Sequence, residues 1–307
     1  MNAIHTGTTR IHRGAEPMDL IADQFNLPHP DLAIAWAAIK LPEEVRERLI
    51  AQSLLALRLR QSFPFEAIPV HGLIVLSGPP GTGKTTLARG LAHRVAEALK
   101  GAKASFVQID PHALASSALG RSQKEVTKLF QQIIPEHAAG GPCIVLLDEV
   151  EALAPDRQRV SLEANPVDVH RATDAALAGI DLLTRKQRNV LLVATTNFPQ
   201  AVDRALMSRA DWIEEIGPPG KEARAEILAD VLDQLATVWP QVAALKTHVG
   251  SFVAVSDGLD GRRLRKAIVS AAASSIETAS DPNKLEGAHI IAALKRATKM
   301  PATKEAA

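Results

Sequence analysis

The residues with the clearest chemistry lie in one octapeptide, Gly78-Pro79-Pro80-Gly81-Thr82-Gly83-Lys84-Thr85, followed by Thr86. The spacing G-x-x-x-x-G-K-[ST] suits a loop that wraps a polyphosphate. Its glycines let successive backbone N–H groups turn inward, its lysine can reach β- and γ-phosphates, and its threonine hydroxyl can ligate Mg²⁺. The apolar run Leu73-Ile74-Val75-Leu76 precedes the loop and a helical pattern over 85–100 follows it. The loop therefore opens at the positive end of a helix dipole. A Gly/Pro-rich turn of similar composition would need none of that context, so the segment reads as a nucleoside-triphosphate binder.

Two carboxylates and an amide fall where the same chemistry needs them. The run Cys143-Ile144-Val145-Leu146-Leu147 ends in Asp148-Glu149. A carboxylate at the carboxyl end of a buried strand, beside a phosphate loop, can hold Mg²⁺ directly or through water, which is the reading for Asp148. Glu149 suits a general base acting on the attacking water. Acidic residues also favour helix N-termini, but the apolar run ahead of this pair favours the strand-end reading. Val190-Leu191-Leu192-Val193-Ala194 leads into Thr195-Thr196-Asn197. The Asn197 amide can orient a lytic water near the γ-phosphate, although an Asn after a strand is by itself ordinary turn chemistry. Hydrolysis is expected as well as binding.

These side chains must be carried by alternating strands and helices. Five apolar or half-apolar runs, at 73–76, 105–110, 143–147, 190–194 and 211–216, read as strands. The unbroken apolarity of several of them implies a sheet covered on both faces. Helical spacing runs through 31–62, with Val45, Leu49, Ile50, Leu54 and Leu57 in register, through 85–100, and through 124–134. The fold class expected is α/β, a doubly wound parallel five-stranded sheet. Past Gly217-Pro218-Pro219-Gly220 the signal becomes mostly helical, including 222–238 and 262–279, which predicts a small C-terminal helical lid domain. The expected organisation is a flexible arm over 1–30, a large nucleotide-binding domain over 31–219, the lid over 220–300 and a tail over 301–307.

Composition removes other classes. With 307 residues a sizeable core is available, and 35 basic against 34 acidic residues leave a formal charge of +1. Neither the basic field of a nucleic-acid binder nor an acidic tail is present. The apolar runs fall short of a membrane span, and the polar start lacks a signal core. The single cysteine, Cys143, opens an apolar run and reads as a buried hydrophobe. With no disulfide possible inside the chain, a cytoplasmic location is expected. The ten histidines have no ligand-like spacing.

Taken in order, the phosphate loop, Leu146-Leu147-Asp148-Glu149, Thr195-Thr196-Asn197, Ser208-Arg209-Ala210-Asp211, Ile216-Gly217-Pro218-Pro219 and Leu259-Asp260-Gly261-Arg262-Arg263-Leu264-Arg265 resemble an AAA+ ATPase over roughly residues 31–300. Asp148-Glu149-Val150-Glu151-Ala152-Leu153 and the segment 258–266 look especially like the pachytene-checkpoint family, which remodels HORMA-domain proteins. The resemblance implies an ATPase using ATP and Mg²⁺. It places Arg209 at the arginine-finger position, acting on a neighbouring subunit's site, and Arg262 at the lid sensor position. Where a second finger often stands, this chain has Trp212. A pore loop is implied at 115–120, where Ser117, Ala118 and Leu119 offer no aromatic, and a plain solvent loop is the alternative. Arg157 and Arg159 could line a pore or simply be solvated.

The short N-terminal region resembles the compact bacterial members of CBASS anti-phage operons. The resemblance thus implies a homohexamer that opens HORMA-domain complexes, including one bound to a cyclic-nucleotide-forming nucleotidyltransferase, and so restrains defence signalling. Neither nucleic acid nor a membrane is expected as a direct partner. Two other classes stay open at this point: a nucleic-acid motor or clamp-loader-like ATPase, and a nucleotide-dependent assembly switch that does not translocate.

Overall fold

The structure, a computed structural model, describes residues 20–110, 121–156 and 166–300. Six strands, β1 (Ile21–Leu27), β2 (Leu73–Ser77), β3 (Ala104–Ile109), β4 (Cys143–Leu147), β5 (Val190–Thr196) and β6 (Trp212–Glu215), form one sheet in the order β1-β3-β4-β5-β2-β6. Strands β2 to β6 pair in parallel, and β1 joins β3 antiparallel at the edge.

The unbroken apolar strands divide between two cores at every second residue, because successive Cβ atoms point to opposite faces. Leu73 and Val75, Cys143, Val145 and Leu147, and Val190, Leu192 and Ala194 enter one core. Ile74 and Leu76, Ile144 and Leu146, and Leu191 and Val193 enter the other. Helices α1 (Pro30–Ala38), α2 (Glu43–Ser62) and α3 (Lys84–Ala98) cover the second face through Leu32, Leu49, Leu57, Leu87, Leu91 and Val95. On the first face lie α4 (Arg121–Lys128), a π-turn over Leu129–Ile133, α5 (Ile134–Ala138) and α6 (Pro166–Lys186). At the end of α2, buried Arg60 donates to the carbonyls of Val190, Leu183 and Gln187. It thereby caps the carbonyl end of α6 with a positive charge. Burial pushes its pKa down to about 10.

After the short helix α7 (Arg204–Met207) and strand β6, the chain enters α8 (Lys221–Ala236), a 3₁₀ stretch over Pro240–His248, α9 (Val249–Ala254), α10 (Gly261–Ala272), α11 (Ile276–Ser280) and α12 (Gly287–Lys299). These pack around a third core that includes Leu228, Leu232, Phe252, Leu264, Ile268 and Ile290. Among the described residues, no helix is long and apolar enough to cross a membrane.

Three expectations need correction. The sheet has six strands, not five, because 21–27, expected within a flexible arm, forms β1. Its Phe25 stacks on Phe106 and its Asp23 meets Arg89 at 2.9 Å. The helical pattern of 31–62 is two helices, separated by Ile39-Lys40-Leu41-Pro42, since the residue before a proline is steered away from helical geometry. The pattern over 262–279 is likewise broken between Ala272 and Ile276. The remainder of the arm, 1–19, and the tail lie outside the described residues.

Candidate functional site

The phosphate loop follows β2 directly, and three of its glycines have positive φ: Gly78 at 141°, Gly81 at 84° and Gly83 at 90°. Gly78 also has no room for a side chain, since a Cβ there would stand 2.2 Å from the Ile216 carbonyl oxygen. Lys84, the first residue of α3, is buried. Its Nζ donates to the carbonyls of Gly78 at 2.7 Å and Pro79 at 2.9 Å. Burial holds the Lys84 ammonium below the ordinary lysine pKa, against the opposing fields of Glu151, Asp148 and Glu149.

Strands β4 and β5 end beside this loop. Thr85 Oγ1 donates to Asp148 Oδ1 at 2.8 Å. Two adjacent ligands of an octahedral Mg²⁺, each about 2.1 Å from the ion, are about 3 Å apart. The Thr85 hydroxyl and Asp148 carboxylate therefore fit that ion as neighbouring ligands. Among the described residues no cluster of three or more His, Cys, Asp or Glu side chains could hold a metal by itself.

Glu149 has φ 49° and ψ 56°, a left-handed backbone uncommon outside glycine. Its N–H donates to Thr195 Oγ1 at 3.0 Å, and the same hydroxyl donates to Asp148 Oδ1. Thr195 thus ties the end of β5 to both carboxylate residues. Asn197 follows on β5, with its backbone N–H donating to Glu151 Oε1 at 3.1 Å. The other Glu151 oxygen is buried without a hydrogen-bond partner.

A cleft of about 160 Å³ gathers Lys84, Thr85, Asp148, Glu149, Asn197 and, from the lid, Arg262. Pro80, Gly81, Gly83, Thr86 and Thr195 complete its lining. A larger cleft of about 540 Å³ lies between the 40–42 segment, the 215–220 segment and α8. Lys40 there pairs with Asp230 of α8 at 2.7 Å. Of the expected site residues within the described segments, Gly78, Pro79 and Thr82 belong to the same loop without lining this cleft, and one residue stands apart from it altogether.

That residue is Arg209, which lines neither cleft and is not part of the loop. It follows α7, and its Nε and Nη2 fork onto Asp181 of α6 at 2.7 and 2.8 Å, while Nη1 donates to the Ala205 carbonyl at 2.6 Å. Hydrogen bonds from Arg209 hold the Asp181 carboxyl below its ordinary pKa. Trp212 donates Nε1–H to Glu214 Oε2 at 2.8 Å, beneath Arg48. The pore-loop residues Ser117, Ala118, Leu119, Arg157 and Arg159 lie outside the described residues.

Sequence reasoning missed four side chains. Thr195 and Glu151 stood inside quoted strings but carried no assigned role. Asp181 had no signal beyond its place on an amphipathic helix. Asp211 accepts the N–H groups of His71, Gly72 and Leu73 at 2.9, 2.6 and 3.0 Å, and so anchors the start of the strand that delivers the phosphate loop. Its position two residues after Arg209 was visible, but its partners about 140 residues away were not.

Known proteins resemble this chain in sequence and in fold. The sequence profile described as "ATPase family associated with various cellular activities (AAA)" matches residues 74–218. CD-NTase-associated protein 6 of Pseudomonas aeruginosa is 47% identical over 278 residues, covering 90% of this chain and 91% of that protein. Putative pachytene checkpoint protein 2 of Caenorhabditis elegans is 34% identical over 219 residues, and this match spans 70% of the chain and 51% of that longer protein. Among solved structures, C. elegans PCH-2 superposes with a TM-score of 0.72 at 27% identity, over 90% of this chain and 76% of that one. The E. coli MS115-1 HORMA:CdnC:Trip13 complex shares the fold, with a TM-score of 0.73 at 20% identity over 92% and 95% of the two chains.

Proposed function

Because this chain belongs to the AAA family of ATPases, in the group that includes CD-NTase-associated protein 6 and the pachytene checkpoint proteins, we propose that it couples ATP hydrolysis to the remodelling of a HORMA-domain protein. The observation that carries the chemistry is the single cleft shared by Lys84, Thr85, Asp148, Glu149, Asn197 and Arg262. Lys84 exchanges its loop carbonyls for the β- and γ-phosphates, and the loop N–H groups surround them. Thr85 and Asp148 would hold Mg²⁺, which neutralises phosphate charge when bound. Glu149 takes the proton from the attacking water, with its carboxylate aimed by the Thr195 clamp on its backbone. The Asn197 amide orients that water, and Arg262 reports the γ-phosphate to the lid.

Arg209 acts in a neighbouring copy of the chain, as a cation already set in a fixed direction by Asp181. That role needs a neighbouring copy at each site, which the homohexamer of this reading supplies. In it, ATP-driven motion of the lids opens a HORMA-domain protein and releases its bound nucleotidyltransferase, restraining cyclic-nucleotide defence signalling. The reading draws on what the relatives are named for and on the completeness of the cleft.

The test uses a purified HORMA-domain protein bound to its labelled partner, mixed with the full chain and ATP. Release should follow ATP addition with the wild type and fail with Glu149→Gln. Intact ATPase activity with no release of the partner overturns the remodelling assignment.

A further inference from the structure

The N-cap of α10 carries a charge that capping does not require. Asp260 Oδ1 accepts the Arg263 N–H at 2.9 Å. Serine, threonine or asparagine would cap that helix about as well. The same carboxylate lies against the phosphate loop: a Cβ built on Gly81 would meet Asp260 Oδ1 at 2.5 Å and Oδ2 at 3.0 Å. None of the arginines of α10 is spent on it. Arg262 lines the phosphate cleft, Arg263 donates to the carbonyls of Ala297 and Met300, and Arg265 donates to those of Ala38 and Gly261. Among the described residues Asp260 has no ion-pair partner. An uncompensated carboxylate therefore abuts a loop whose work is to hold a polyanion.

We propose that Asp260 sets how loosely this ATPase holds its nucleotide, its charge opposing the bound phosphates and hastening the release of ADP. The proposal rests on the reading of the cleft as a nucleotide site. Helix α10 begins over the loop, with a Cβ on Gly261 falling 4.0 Å from the Gly81 carbonyl oxygen. Its positive end and Arg262 attract phosphate. The Asp260 carboxylate offsets that attraction while leaving the helix capped. A neutral cap would keep the geometry and drop the repulsion, which makes the charge separable from the fold.

Fluorescently labelled ADP binding to the full chain tests this, comparing wild type with Asp260→Asn and Asp260→Ser. Both variants keep a capping side chain. Each should bind ADP about three- to tenfold more tightly at low salt, through slower dissociation, and the gain should shrink as salt rises to about 0.5 M. Unchanged or weaker binding in either variant overturns the proposal. Failure of the nucleotide reading would look different: Lys84→Ala and wild type would then bind ADP alike.

Discussion

The phosphate cleft and the Arg209 pair use the same kinds of side chain to opposite ends. In the cleft, groups from four distant stretches, 80–86, 148–149, 195–197 and 262, face one cavity, and the lysine is held by the carbonyls of its own loop. Such a cation is ready to exchange partners. At Arg209, the guanidinium is forked onto a carboxylate of a neighbouring helix and tied to its own turn, with the side chain 21% exposed. That cation is held still. A fixed, partly exposed arginine outside its own chain's cleft is what a trans-acting finger needs, and it is also what a structural ion pair looks like. Kinetics separates those two roles.

The comparison breaks most sharply at Arg209 itself. Arg209→Ala should lower kcat by about 10³-fold with ATP affinity retained, as expected for a lost arginine finger. Mixing it with Glu149→Gln chains should restore part of the turnover, since each supplies what the other lacks. Full activity of Arg209→Ala alone would make the pair purely structural. Within the cleft, Glu149→Gln should cut kcat by about 10²-fold or more while Mg²⁺-dependent ATP retention persists, checked by single-turnover assays.

A smaller effect sharpens the positioning argument. Thr195→Val keeps shape but removes the hydroxyl that holds both Asp148 and the left-handed Glu149. Backbone strain of this kind is worth roughly 1–3 kcal/mol, so kcat should fall about tenfold with little change in KM. A shift in KM alone would assign Thr195 to binding.

The smallest expected effect concerns Asp181 and pH. Its folded-state pKa is depressed by hydrogen bonds from Arg209. The stabilisation is therefore complete above the ordinary aspartate value of about 4 and is lost as pH falls through the lower folded value. The difference in Tm between wild type and Asp181→Asn should stay constant down to about pH 5 and close below it. A difference independent of acid would place the effect in packing and not in the ion pair.

How much of this was legible depends on how local each signal is. Strands β2, β4 and β5 are written as short, unbroken apolar runs, because both faces are covered and every residue must be buried. Strand β1 was not legible: Ile21-Ala22-Asp23-Gln24-Phe25-Asn26-Leu27 exposes alternate residues and mixes polar with apolar ones on the other face. An edge strand bonded on one side does not need more. The Walker-type loop and Asp148-Glu149 were legible because their geometry is set within a few residues of backbone. Thr195, Asp181 and Asp211 were not, because each acts on a partner far away in the chain.

The sequence alone determined the chemistry available: a polyphosphate loop, a magnesium-competent hydroxyl and carboxylate, a base, and an ordered set of strings that identify the family. These are properties of residue type and short spacing, and local backbone geometry enforces them. Only the tertiary structure decided which charges meet. It placed Arg262 in the cleft and Arg209 on Asp181, and it set the Asp260 carboxylate against Gly81. The physical reason is distance: electrostatic partnership depends on a few ångströms of separation, and for residues of different strands and helices the fold alone sets that separation.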